Sequence, residues 1–103
     1  MSTGFDFSTP EVQDWEVQAV WTALDTGELR VSVHAQNEIN LDALTLDDVY
    51  DAISLYDEVS KDLPGVSSRA PGLNFDRFIG QIRLRVKVGW RGVYYIVVTA
   101  MAN

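Results

Sequence analysis

The sequence predicts an α+β fold in which two main helices pack on a small antiparallel sheet, in the order α-β-α-β-β-β. Three observations lead there. Helical periodicity is confined to the N-terminal part of the chain, and β-branched and aromatic residues crowd the C-terminal part. Gly89-Trp90-Arg91-Gly92 then supplies a hairpin turn between the last two strands. Elements segregated in this way give α+β rather than alternating α/β.

Residues 1–7 read as an N-terminal tail and 8–103 as one domain, since 103 residues support a single core. Ser8-Thr9-Pro10-Glu11 opens the first helix, either as a Ser8/Glu11 capping box or with Thr9 as N-cap and Pro10 as first helical residue. That helix ends near Asp25, before Gly27. Glu11, Asp14, Gln18, Thr22 and Asp25 form a polar stripe, with Val12, Trp15, Ala19 and Ala23 on one side and Val17, Val20, Trp21 and Leu24 on the other. The apolar arc is wider than one sheet contact needs, so the helix is either clamped between two layers or offers surface to a partner. Trp15 and Trp21 lie about 120° apart on the helix. They are the candidate interface residues, unless Phe5 and Phe7 fold back and cover one of them.

Residues 29–34 alternate with period two and read as a short strand ending at His34. Residues 35–44 are polar and hold a turn or two of helix. Thr45 caps the second main helix, 45–56, with Asp47 and Asp48 suiting its dipole and Val49, Ala52, Ile53 and Tyr56 forming its buried face. Residues 64–72 are a loop by composition, and strands follow at 75–81, 82–88 and 93–100. Along 82–88, Ile82, Leu84, Val86 and Val88 share one face and Arg83, Arg85 and Lys87 the other. Pairing 88 with 93 adds Tyr94 to the basic face, whereas a one-residue slip substitutes Tyr95 and Thr99.

Charge divides the chain. Residues 1–62 carry fourteen carboxylates against Arg30 and Lys61, a net of −12, while residues 63–103 carry six cations against Asp76, a net of +5. The basic end is where an anionic partner is expected, and Arg77, Arg91 and Arg69 are candidates for the same edge that the sequence alone does not place. The overall charge of −7 disfavours general nucleic-acid binding, so any RNA contact is local to the basic strand. The absence of cysteine excludes disulfides and thiol chemistry and suits a reducing cytoplasm. No signal-peptide pattern opens the chain, and the longest apolar run, 93–102, is too short to span a bilayer, so no membrane role is expected.

His34, the only histidine, is either a general acid–base group or a packed side chain at a strand end. One histidine cannot build a zinc site, and the acidic run from Asp42 to Asp62 lacks calcium-loop spacing. It reads as a solvated helix face, and neither metal nor cofactor is expected.

Val31-Ser32-Val33-His34-Ala35, Leu44-Thr45-Leu46-Asp47-Asp48-Val49 and Val97-Val98-Thr99-Ala100 together resemble the DUF4258 family. That family is similar in fold to the RelE/ParE/BrnT group of bacterial toxins, several of which cut mRNA with sheet-borne Arg, Lys, His and Tyr side chains. The resemblance implies a metal-independent endoribonuclease, or an RNA- or partner-binding module of a toxin–antitoxin-type system. In the enzymatic version His34 or Tyr94 transfers the proton and Arg83 and Arg85 stabilise the scissile phosphate, with Arg77, Lys87 and Arg91 as phosphate contacts. An antitoxin-like protein or a second copy would then dock on the first helix through Trp15 and Trp21. Two positions depart from the family pattern: Glu38 stands where an arginine is usual, and Met101 where a tyrosine is usual. The alternatives are a non-enzymatic acidic protein-interaction module and a DNA-mimicking inhibitor built on the carboxylates of 1–62.

Overall fold

The computed structural model describes residues 3–66 and 69–103, so part of the N-terminal tail and of the 64–72 loop lies outside the described residues. In chain order the elements are α1 (Asp14–Asp25), β1 (Arg30–Val31), α2 (Val33–Leu41), α3 (Leu46–Ser54), β2 (Glu58–Asp62), β3 (Gly72–Ile79), β4 (Ile82–Trp90) and β5 (Tyr95–Ala102). The fold is α+β. Its sheet has five strands in the order β1-β5-β4-β3-β2, with β1 parallel to β5 and the other pairs antiparallel. The sheet is therefore mixed, which corrects the expected antiparallel sheet.

Apolar side chains from α1 (Val17, Val20), α2 (Ala35, Ile39) and α3 (Val49, Ile53) share one core with Leu73, Phe75, Leu84, Val86, Val88 and Val97 of the sheet. Burying a side chain such as Phe75 or Ile53 contributes about 1.5–3 kcal/mol. Arg83, Arg85 and Lys87 alternate with the core residues and face away from the helices, as the period-two pattern requires.

Four local expectations need correction. The first helix starts at Asp14 rather than at Ser8, because the Glu16 carboxylate gathers the backbone N–H groups of Gln13 (2.8 Å) and Asp6 (3.0 Å) ahead of it. The early strand stops at Val31: Ser32 accepts a hydrogen bond from Ala35 N at 3.0 Å and caps α2, so His34 is helical. Residues 58–62 form an edge strand where none was expected.

The last correction concerns the hairpin register. Trp90 pairs with Tyr95, and Arg91 N donates to Tyr94 O across the turn. The pairing shifts by one residue between Lys87 and Val88, so Lys87 faces Thr99, Val88 faces Val97, and Val98 is the extra residue of a β-bulge. Tyr95 is consequently buried on the core side, while Thr99 stands beside Lys87 on the basic face. Neither simple register of the sequence reading survives. Gly72 permits the close β3–β4 approach: a Cβ there would lie 2.3 Å from the Val88 carbonyl oxygen, at a φ of +155°.

Two features finish the molecule. The segment 4–13 is strapped across the core by the buried Glu16–Lys61 pair, with Lys61 Nζ also donating to Asp6 O (2.7 Å). Gly4 exchanges hydrogen bonds with the Tyr95 hydroxyl, and Phe5 packs on the Tyr95 ring. Beyond β1, helix α2 covers the free edge of β5, where Glu38 accepts from Ala100 N (3.1 Å) and Asp42 from Ala102 N (3.0 Å).

Candidate binding cleft

The strand registers place the side chains of the open sheet face in three cross-strand ranks. Asn74, Lys87 and Thr99 form the first, Asp76, Arg85 and Met101 the second, and Phe78, Arg83 and Asn103 the third. Ser60 and Glu58 of β2 extend the first two. A cleft of about 340 Å³ runs over these ranks, bordered by Asp62, Arg69 and Ala70.

Most of its charge is already matched. Arg85 grips Asp76 with two parallel hydrogen bonds of 2.8 Å, and this bonding outweighs burial in holding the guanidinium more firmly protonated. Lys87 Nζ donates to Asp62 (2.7 Å) and to the Ala70 carbonyl (2.8 Å). Burial pushes the Asp62 carboxyl up, but the Lys87 and Asn74 hydrogen bonds and the nearby Lys87 and Arg69 charges hold it below the usual aspartate range. Arg83 has no side-chain partner among the described residues. Asn74 is 2% exposed; its Nδ2 donates to Asp62 at 3.1 Å, while its Oδ1 accepts nothing. Because Nδ2 faces a carboxylate, the amide orientation is fixed by chemistry.

The residues singled out from sequence do not assemble into one constellation. Arg83, Arg85 and Lys87 line the cleft, and His34 and Tyr94 do not. His34 sits on α2 outside β5, 70% exposed, with Nε2 3.5 Å from Glu38. Tyr94 lies at the β4–β5 turn under the Arg30 guanidinium, 4.3 Å from its ring centre. Arg77 reaches Asp51 at 3.8 Å on the helix side, and Arg91 sits in the same turn as Tyr94. The indoles are used internally: Trp21 donates to Ile53 O (2.8 Å) and Trp15 to Gln13 (3.0 Å). Phe5 and Phe7 pack toward Tyr95.

Asn74, Asp62 and Thr99 are cleft residues that the sequence reading did not assign to the site. An asparagine at the centre of an otherwise strand-like run, Leu73-Asn74-Phe75, was the available signal. Among the described residues no group of three or more His, Cys, Asp or Glu side chains could hold a metal ion, and no helix is long and apolar enough to cross a membrane. No protein-family model matches the chain, and no curated protein or solved structure matches it.

Proposed function

We propose that the chain is a non-enzymatic protein-interaction module of the cytoplasm, in which a RelE/BrnT-type helix-on-sheet architecture serves docking rather than RNA cleavage. One observation carries the reading. The β3–β4 hairpin end leaves Phe78, Ile79 and Ile82 45–52% exposed. Phe78 lies on the open face with Met101 (44%) and directly opposite Arg83, which has no side-chain partner among the described residues, while Ile79 and Ile82 pair on the other face of the same hairpin end. Aromatic, methionine and arginine side chains are the types enriched at the centre of protein interfaces. The ribonuclease alternative would need a proton-transfer group beside the cations, and both candidates, His34 and Tyr94, lie outside the cleft. Arg85 and Lys87 are moreover neutralised by Asp76 and Asp62.

The test is photocrosslinking in cells with p-benzoylphenylalanine placed at position 78, against a control at the exposed Gln18 of α1. A discrete protein adduct from position 78 alone, abolished by Ile82→Asp, is expected, and the purified chain should leave single-stranded RNA intact. An RNA adduct at position 78, or RNA cleavage lost in His34→Ala, would overturn the docking reading in favour of the nuclease.

A further inference from the structure

The cleft on the open face has a different character from the apolar hairpin end, and the two make separate demands. Its lining carries Arg69, Arg83, Arg85 and Lys87; Asp76 and Asp62 match Arg85 and Lys87, so the cationic character is concentrated toward Arg83, within a protein of net charge −7. Low-dielectric walls focus such a local excess, so the cleft favours an anion although the protein as a whole repels one. Its volume of about 340 Å³ lies in the range of small-molecule sites and far below that of a macromolecular groove.

The three ranks differ in chemistry. In the first, Asn74 Oδ1 is a buried acceptor with no partner among the described residues, on a side chain that lines the cleft, so a donor entering there would satisfy it. In the second, the bidentate grip of Asp76 locks the Arg85 guanidinium as a flat plate, with the Met101 thioether beside it across the strand. A flat guanidinium fixed in this way can stack a planar ring on its free face. In the third, Arg83 is a cation without a counter-ion among the described residues. From the first rank to the third is four residues along β4, about 13 Å at the rise of a strand.

We infer that this cleft binds a nucleoside monophosphate, or a molecule of the same chemistry: a flat ring with a donor edge and an anionic arm. The ring edge donates to Asn74 Oδ1 near Thr99, the ring plane lies on Arg85 and Met101, and the phosphate meets Arg83. The order of ranks argues for this class over inorganic phosphate, which would use Arg83 and leave Asn74 unsatisfied. This inference does not rest on the docking reading, although the two share Arg83 and Met101, so a bound nucleotide and a docked partner would compete.

The test is titration of the ¹⁵N-labelled full chain with the four nucleoside 5′-monophosphates, followed by backbone and Asn74 side-chain amide shifts. Inorganic phosphate, the matching nucleosides and a short single-stranded RNA serve as comparators. At least one monophosphate should give saturable shifts at Asn74, Arg85 and Thr99, and Arg83→Gln should weaken it about tenfold, the effect of one charge-assisted contact. Asn74→Leu should erase the preference for nucleotide over inorganic phosphate. Should that variant fail to fold, the half-exposed Arg83→Gln still decides. No shift with any monophosphate, equal Asn74 shifts with phosphate alone, or far tighter binding of the RNA would overturn the inference.

Discussion

Lys61 and Glu16 meet through an Nζ–Oε1 contact of 2.7 Å, and neither side chain is exposed at all. Each also serves the backbone: Glu16 takes the N–H groups of Asp6 and Gln13, and Lys61 donates to the carbonyls of Asp6 and Thr9. Removing one partner leaves a buried charge alone, which costs about 3–5 kcal/mol. Lys61→Met should lower stability by about that amount in urea denaturation. The double variant Lys61→Met/Glu16→Leu should regain much of the loss, yet its amides at 6 and 13 should exchange freely with solvent. A double variant no better than the single one would show that the pair itself contributes little beyond its backbone contacts.

The carboxylates of Glu38 and Asp42 occupy the places a sixth strand would take beside β5. Glu38→Ala leaves a part-buried N–H unpaired, a cost of about 1–3 kcal/mol, whereas the exposed Asp42 bond should matter less. With both removed, the edge is open for strand addition, and sedimentation should report concentration-dependent association. A strictly monomeric double variant with an unchanged Ala100 exchange rate would contradict this role.

Asp62 should shape the acid side of the stability profile. Its folded pKa is depressed below the ordinary aspartate value of about 3.9, so its contribution is present above that value and disappears as pH falls through the folded pKa. Asp62→Asn should therefore be less stable than the parent at neutral pH, and the gap should close as pH falls through the acid range below about 4. Urea midpoints measured across that interval check it, and a gap independent of pH would rule out the linkage.

Tyr95 gives an alkaline counterpart. Burial raises its phenol pKa, the Gly4 hydrogen bond opposes that rise, and the Glu16 charge adds to it. A raised folded value means that stability present below about pH 10 is lost as pH rises through it. Tyr95→Phe should lose this alkaline dependence in part and should cost about 1 kcal/mol at neutral pH, the net worth of a hydrogen bond. Exchange protection at Gly4 should vanish first.

What could be read from sequence follows from how local each determinant is. Helix α3 was legible because Thr45, Asp48 and the Val49, Ala52, Ile53 spacing all lie within one short segment. The basic face of β4 was legible for the same reason. Strand β2 was hidden because its inward residues are Val59 and Lys61, and burial of Lys61 is tolerated only with Glu16 forty-five positions earlier. The bulge at Val98 has no glycine to mark it, so the register that buries Tyr95 and exposes Thr99 was out of reach. The site suffered most: the basic strand was visible, but the carboxylates that neutralise it arrive from β2 and β3 through pairing that no local pattern encodes.

The Gly4–Tyr95 contact sets a timetable. Gly4 leaves the ribosome 91 residues before its partner, and at 5–20 residues per second that is a wait of about 5–20 s. During that interval Phe5 has only the Phe7 ring and not that of Tyr95 to pack on, and the strap can find Lys61 long before it can find Tyr95. The closing contact spans nearly the whole chain, so its loop entropy is settled last. Slow translation through β5 would prolong the exposure of the N-terminal aromatics, and a chaperone that recognises short aromatic segments would meet them there first.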